Sequence, residues 1–204
     1  MVKDPGPAVS SHSVAEGMRL KRPPLPRSEM RCGRSRSTIV VSIQIACGAS
    51  SDEKGILKEG EPVQLGDLQY NVLFSRFLNP DDTEDRDYLL GQAPPRSDQL
   101  YLGVFMQVLN KSKSAGTPIA PAMTITDTQD NTYYPLPSRS PYALRLGARV
   151  APEDQAPALD STAQEGPIGG SMVLFVIPEA ATENRPLELV IPGQGGSAQV
   201  QLDI

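Results

Sequence analysis

Residues 100–109 read LYLGVFMQVL and residues 171–177 read SMVLFVI, and these two runs decide the fold class. The first run carries apolar side chains at both sets of alternating positions, which is typical of a central strand buried on both faces. Asn110, Lys111 and Ser112 follow it with residues that favour turns. The second run is equally apolar and is stopped by Pro178, which cannot continue a strand ladder. We therefore predict two buried strands at the centre of a β domain.

Weaker runs on either side show the same period of two. In residues 68–78, LQYNVLFSRFL, the even-numbered apolar side chains up to Phe74 share one face before Phe77 breaks the alternation. Proline and glycine punctuate the chain between these runs, and a helical period is almost absent. Seven or eight short strands of this kind predict an all-β, two-sheet sandwich of about 140 residues. The remaining predicted strands are residues 123–127 and 132–136 around a hairpin loop at 128–131, and residues 187–191 and 198–204.

Composition excludes several functional classes. The 204 residues include no Trp and a single His, His12, far from the predicted β domain. Mechanisms that use histidine as base, proton shuttle or metal ligand are therefore nearly excluded there. The net charge of -5 divides unevenly, with +5 on residues 1–46 and -10 on the remainder. An acidic domain without a basic stripe repels a phosphate backbone, so we expect no nucleic-acid partner.

The amino-terminal third contains a signal-like pattern. Residues 31–50, RCGRSRSTIVVSIQIACGAS, place three arginines before an apolar run of eight residues, 39–46, which ends at Cys47. A cationic region followed by a short apolar region is the order of a secretory signal. As a helix, the apolar run would be about 12 Å long, too short for a hydrocarbon core of about 30 Å. The pattern predicts export, not a membrane-spanning helix.

The residues around Cys47 resemble a bacterial lipobox, in which a small residue precedes a cysteine that becomes acylated. Ile45, Ala46 and Cys47 fit, whereas Gln44 stands where leucine is usual. The resemblance implies lipid attachment at Cys47 and a membrane-anchored or secreted, extracytoplasmic protein. An uncleaved signal, or a core strand ending in a buried free cysteine, are the alternatives. The predicted organisation is an extension or mis-assigned start at 1–29, a signal-like segment at 30–47, a polar linker at 48–61 and the β domain at 62–204.

A family resemblance covers roughly residues 60–204. It is carried by Gly66 to Val72, by residues 101–111, by DTQDNTY at 127–133 and by GSMVLFVIP at 170–178. These segments resemble an immunoglobulin-like domain family of unknown function in secreted or lipid-anchored proteins of Gram-positive, actinobacterial-type bacteria, related to mycobacterial secreted immunogenic antigens. The resemblance implies an immunoglobulin-like sandwich and a non-enzymatic module. It implies no catalytic residues.

The acidic stretch at residues 79–87, NPDDTEDRD, is the densest group of candidate functional side chains. Calcium takes about six to eight oxygen ligands, which a folded-back loop could supply, but the spacing lacks the central glycine and distal glutamate of an EF-hand. A solvated acidic loop is the simpler interpretation, and a Ca²⁺ site is the alternative. The candidate ligands are Asp81, Asp82, Glu84, Asp85 and Asp87.

Two other features invite functional interpretations. Tyr133, Tyr134 and Tyr142 lie in a proline-rich stretch, and such aromatics bind partners, stack on sugars or cap the end of a sandwich. The glycine-rich run at residues 166–171 lacks the lysine and following helix of a phosphate cradle, so we predict a turn that leads into a strand. Ser171 has no accompanying histidine base and is a poor nucleophile candidate.

Two hypotheses of different classes follow. The first is a non-enzymatic, lipid-anchored binding module of the bacterial cell envelope, attached to the membrane through Cys47 and binding an unknown protein or cell-wall component. The alternative is a small secreted hydrolase that uses two carboxylates of the 81–87 loop, since paired carboxylates at about 5 to 10 Å can cleave glycosides. A deep, dry pocket with two carboxylates favours the enzyme, and an open polar surface favours the binding module.

Overall fold

The computed structural model describes residues 55–204. The predicted signal, Cys47 and the linker up to residue 54 lie outside these residues. The described chain forms twelve strands, one short α-helix and one 3₁₀ helix. The strands are β1 (Leu57–Lys58), β2 (Val63–Leu65), β3 (Leu68–Leu78), β4 (Gln99–Asn110), β5 (Thr117–Pro118), β6 (Thr124–Thr126), β7 (Thr132–Tyr133), β8 (Arg149–Val150), β9 (Gln155–Ala156), β10 (Ser171–Pro178), β11 (Leu187–Gly193) and β12 (Gly196–Leu202); the helices are α1 (Thr162–Glu165) and the 3₁₀ turn Glu179–Glu183.

Two sheets face each other across the main core. One has the strand order β1-β12-β11-β6-β7, and the other has the order β10-β4-β3-β2, with β9 pairing to the far end of β4. β5 and β8 form a separate two-stranded sheet. Alternating side chains of both main sheets meet in one cluster, in which Val104, Phe175 and Val200 are fully buried. The predicted all-β, two-sheet sandwich is confirmed.

The strands that matter most for the fold coincide with the apolar runs of the sequence. β4 buries Leu102 and Val104 in the main core and Tyr101 and Phe105 on its opposite face, as the alternation predicts. β10 pairs with β4 in antiparallel register, from Ser171 opposite Met106 to Pro178 opposite Gln99. Among residues 55–204, seven strands have three or more residues. The predicted number of seven or eight therefore corresponds to the substantial strands, to which five two-residue pairings are added.

β3 departs from the predicted alternation at a β-bulge between Val72 and Phe74. The extra residue turns the strand over, because a shift of one position exchanges the two faces. Phe74 was predicted to lie on the same face as Leu68, and that prediction is wrong: Phe74 lies opposite Phe105 on the outer face. Phe77 packs against the main core instead. Arg76 consequently lies on the outer face, opposite Gly103.

The first sheet begins before the predicted domain boundary at residue 62. Leu57 and Lys58 form β1, which pairs in parallel with β12 through Val200 and Gln201. Glu61 closes the turn that follows, by accepting a hydrogen bond from the Lys58 N–H at 3.0 Å. Residues 57–61 are therefore part of the sheet structure and not of a linker.

The outer face of the β10-β4-β3-β2 sheet is covered by loops. Leu78, Phe105, Met172 and Leu174 form a second apolar cluster there, under Tyr88 and Leu89 of the loop between β3 and β4. The long loops thus have a structural role, since they bury a second core on the outer side of a sheet that is already buried on its inner side.

Within the described range, no helix is long and apolar enough to cross a membrane.

Candidate functional site

The acidic loop is fixed to the outer face of the sheet by one buried carboxylate. Asp85 is 3% exposed, accepts a hydrogen bond from the Asn79 N–H at 2.8 Å and forms an ion pair with Arg76. Tyr88 follows within the same turn, its N–H donating to the Asp85 carbonyl at 3.1 Å. A carboxylate removed from water needs such partners to remain charged. The loop is therefore anchored at Asp85, in contrast to a simple solvated loop.

The other carboxylates of the loop point to solvent. Asp81, Asp82, Glu84 and Asp87 are all exposed. Asp82 accepts a hydrogen bond from the Glu84 N–H at 3.0 Å, which is a local turn contact. Across residues 55–204, no three His, Cys, Asp or Glu side chains come close enough together to hold a metal ion. The five predicted calcium ligands therefore do not converge, and a calcium site stays a prediction.

An aromatic cluster lies beside the anchored loop. The Phe74 and Phe105 rings stack with their centroids 5.0 Å apart, and the Tyr88 ring meets the edge of Phe105 at 5.2 Å. The Arg76 guanidinium lies over the Tyr88 ring, 5.6 Å from its centroid, which is within the range of cation–π attraction. Burial, with the neighbouring Tyr142, raises the pKa of Tyr88, against the opposing effect of Arg76. The phenol is thus neutral at physiological pH.

Tyr142 joins this cluster from a distant part of the chain. Its ring centroid lies 4.7 Å from that of Tyr88, and its backbone is held by β10, where the Met172 N–H donates to the Tyr142 carbonyl at 2.7 Å. Gly166 allows the ring to lie close, because a Cβ at that position would be 2.8 Å from a Tyr142 ring carbon. The glycine-rich run therefore has a packing role, and it leads into β10 as the sequence predicted.

These elements enclose a groove of about 500 Å³, which we call the aromatic groove. Its lining combines carboxylates of the acidic loop, aromatic rings with Arg76, and Pro167 and Ile168 of the glycine-rich run. An open groove of this composition offers apolar ring surface beside hydrogen-bonding groups of both charges. Its residues are Phe74, Arg76, Thr83, Glu84, Asp87, Tyr88, Tyr142, Pro167 and Ile168.

The other two predicted binding tyrosines lie outside the aromatic groove. Tyr134 is 68% exposed. The Tyr133 hydroxyl donates to the Asp127 carboxylate at 2.8 Å, and burial followed by this bond raises the pKa of Tyr133 to about 12. Tyr133 is thus held in the hairpin turn, and only Tyr142 of the three contributes to the groove.

Asp127 organises the turn that contains Tyr133. Burial opposes its ionisation, but hydrogen bonds from Asn131, Tyr133 and Gln129 outweigh burial and lower its pKa to about 2. The N–H groups of Gln129 and Asn131 each donate to one carboxylate oxygen at 2.9 Å. An aspartate that closes its own turn in this way has a structural function.

The sequence predicted the acidic loop and Tyr142 but missed Arg76, Phe74 and Tyr88. Arg76 and Phe74 reach the groove because of the bulge in β3, and a bulge leaves no composition signal. Tyr88 follows the carboxylates directly, and an aromatic residue next to an acidic stretch was the available signal. Ser171, by contrast, is buried in β10 and lies away from the groove.

Comparisons with known proteins find similarity to solved structures only. No protein-family model matches the chain, and no curated protein matches its sequence. An uncharacterised β-sandwich protein from Clostridium difficile shares 12% identity, with a TM-score of 0.46 over 74% of this chain and 97% of its own. The yjhA protein from Bacillus subtilis shares 14% identity, with a TM-score of 0.45 over 72% of this chain and all of its own.

A functionally unknown protein from Listeria monocytogenes gives a similar result. It shares 10% identity, with a TM-score of 0.47 over 72% of this chain and 83% of its own. All three structures come from Gram-positive bacteria and none has a described function. The function must therefore be argued from the groove and the sequence.

Proposed function

We propose that this protein is a lipid-anchored, extracytoplasmic binding module of a Gram-positive, actinobacterial-type cell envelope, and that it binds a polar wall component in the aromatic groove. The observation that carries the proposal is the convergence of three separate segments on one groove: the acidic loop, the Tyr142 segment and the glycine-rich run. Loops that converge on a rigid sheet are common sites of recognition.

The sequence around Cys47 supports the anchor. Two acyl chains on one cysteine hold a protein at a membrane effectively permanently, since each buried methylene contributes about 0.8 kcal/mol. Leu57, where β1 begins, is ten positions after Cys47, and a fully extended chain over that interval spans at most about 35 Å. This reach suits a module that contacts the wall close to the membrane.

The chemistry of the groove supports binding of a polar ligand such as a wall saccharide. Sugar rings combine apolar faces with hydroxyl groups, which match aromatic rings flanked by carboxylates and a guanidinium. The half-buried Phe74 and Tyr142 supply the ring surface, beside the buried Tyr88, while Glu84, Asp87 and Arg76 supply hydrogen-bonding groups. The sheet beneath is packed on both faces, so the groove needs little reorganisation on binding.

The hydrolase alternative has less support. A glycosidase needs one protonated and one ionised carboxylate, which usually requires partial burial of the acid. Glu84 and Asp87 both line the groove, but both are exposed. Their exposure suits hydrogen bonding to a ligand better than proton transfer.

Pelleting with purified, insoluble Gram-positive cell wall tests the binding. We expect the full chain carrying Cys47→Ser to sediment with the wall, and Glu84→Gln with Asp87→Asn to reduce binding at least about fivefold. The control pair Asp81→Asn and Asp160→Asn removes the same charge at exposed positions outside the groove. Equal binding by both pairs contradicts the groove assignment. Release of soluble sugar during incubation favours the hydrolase.

A further inference from the structure

A second groove lies along the edge of β10, and we define it as the arginine groove. The chain between β7 and β8 attaches to this edge twice: the Leu136 N–H donates to the Leu174 carbonyl at 2.7 Å, and the Leu144 N–H donates to the Met172 carbonyl at 2.8 Å. Between the two attachments the chain leaves the edge. The space that opens has a volume of about 630 Å³.

The base of the arginine groove is apolar. Met172 and Leu174 line it but are each only 1% exposed, and the half-buried side chains of Leu136 and Leu146 supply its accessible apolar surface. The turn above is held in place, since the Gln92 side chain donates to the Pro137 carbonyl at 2.8 Å and Ser140 Oγ donates to the Asp87 carbonyl at 2.6 Å. A preformed groove of about 630 Å³ with an apolar base accommodates one side chain of a ligand.

Two arginines line this groove without a carboxylate beside them. Arg139 and Arg145 are exposed, and neither Asp nor Glu lines the groove. The ion pair found among residues 55–204 joins Arg76 to Asp85 and involves neither of them. The two guanidinium groups thus make the arginine groove a cationic site.

The charge of the surrounding domain indicates what such a site binds. Residues 55–204 carry ten Lys or Arg against nineteen Asp or Glu, so the domain as a whole repels an extended polyanion or an anionic bilayer. A short segment with one or two carboxylates experiences little of this repulsion. Arginine pairs with a carboxylate through two parallel hydrogen bonds.

From this charge complementarity we infer that the arginine groove binds a short acidic peptide segment, with an apolar side chain against Leu136 and Leu146 and flanking carboxylates on Arg139 and Arg145. This inference concerns a surface separate from the aromatic groove, and it does not depend on the proposed wall ligand. It assigns the protein a peptide or protein partner in addition to that ligand.

Fluorescence anisotropy with two labelled peptides tests the inference, using the full chain carrying Cys47→Ser. The probes are Gly-Glu-Leu-Glu-Gly and its uncharged counterpart Gly-Gln-Leu-Gln-Gly, both with blocked ends. We expect the acidic probe to bind about tenfold more tightly, a preference that weakens as salt rises. Arg139→Gln with Arg145→Gln should abolish the preference. Arg149→Gln, which removes an exposed arginine outside the groove, should retain it.

Three outcomes overturn the inference. One is equal binding, or no binding, of the two probes by the unaltered groove. Another is an equal loss of binding in Arg149→Gln. The third is tight binding to phosphatidylglycerol vesicles that requires Arg139 and Arg145, with no binding of the acidic probe, because it assigns the arginines to a lipid surface. Circular dichroism of each variant shows whether the fold is intact.

Discussion

Asp85 is the residue on which the position of the acidic loop depends. It is buried, and it accepts hydrogen bonds from Arg76 and from the Asn79 N–H. Its neighbours Asp81 and Asp82 have the same charge but are exposed. One carboxylate of the five therefore stabilises the loop, while the others remain available to solvent and ligands.

Asp85→Ala should destabilise the domain by about 2 kcal/mol, because it leaves the Asn79 N–H and the Arg76 guanidinium without their partner. The half-exposed state of Arg76 keeps the cost below that of a fully buried pair. Urea unfolding followed by far-UV circular dichroism measures the difference. Asp81→Ala is the matched control and should change stability by less than about 0.5 kcal/mol. Equal losses in both variants would show that Asp85 does not anchor the loop.

Asp127 makes the stability of the fold depend on pH in the acidic range. Its pKa in the fold is about 2, below its usual value of 3.8, so the folded state favours the ionised carboxylate. The stabilisation is fully present above pH 4 and is lost as the pH falls toward 2. The difference between these two pKa values corresponds to a contribution of about 2 kcal/mol to the free energy of unfolding.

We expect Asp127→Asn to be less stable than the unaltered protein at pH 6 and to lose less further stability between pH 4 and pH 2. Thermal melts across this range measure both effects. A parallel decline of the two proteins with falling pH would contradict the assignment of the acid sensitivity to Asp127.

At the level of elements, the contact between Gly166 of the glycine-rich run and Tyr142 shapes the aromatic groove. A Cβ at residue 166 would lie 2.8 Å from the Tyr142 ring and 2.9 Å from the Thr162 carbonyl. Gly166→Ala should therefore displace the ring, destabilise the domain by about 1–2 kcal/mol and weaken wall binding. Gly55→Ala is the control, since a Cβ there meets nothing within 4 Å.

The measurement is a thermal melt combined with the wall-pelleting assay. A Gly166→Ala protein with unchanged stability and binding would show that this contact is easily accommodated and does not shape the groove.

The sequence predicts an element well when the interactions that form it join residues that are close together along the chain. β4 and β10 were predictable because each contains an apolar run with side chains buried on both faces, and such a run is a local property of the sequence. The bulge in β3 was not predictable. One inserted residue moves both Phe74 and Arg76 to the outer face of the sheet without any change in composition. The two-residue β1 depends on a parallel pairing with β12, more than a hundred residues away.

The aromatic groove was only partly predictable for the same reason. The sequence identifies the acidic loop and Tyr142 as candidates, but the contact between Tyr142 and Tyr88 joins residues 54 positions apart. The arginine groove had no sequence signal, because Arg139 and Arg145 line one groove only when Leu136 and Leu144 bond to β10.

At the scale of the whole molecule, the described residues form an acidic sandwich with the aromatic groove on the outer face of its β10-β4-β3-β2 sheet and the arginine groove at the β10 edge. Attachment at Cys47 would hold both grooves close to the membrane and the wall. Export and acylation, as proposed, would make the domain a component of the envelope.

The most direct measurement of that claim is the intact mass of the protein extracted from membranes of a Gram-positive host that processes lipoproteins. The account predicts a chain that starts at Cys47 and carries a diacylglyceryl group, and it predicts that Cys47→Ser abolishes this species. A soluble, unmodified chain that retains residues 39–46 ahead of Cys47 would contradict it.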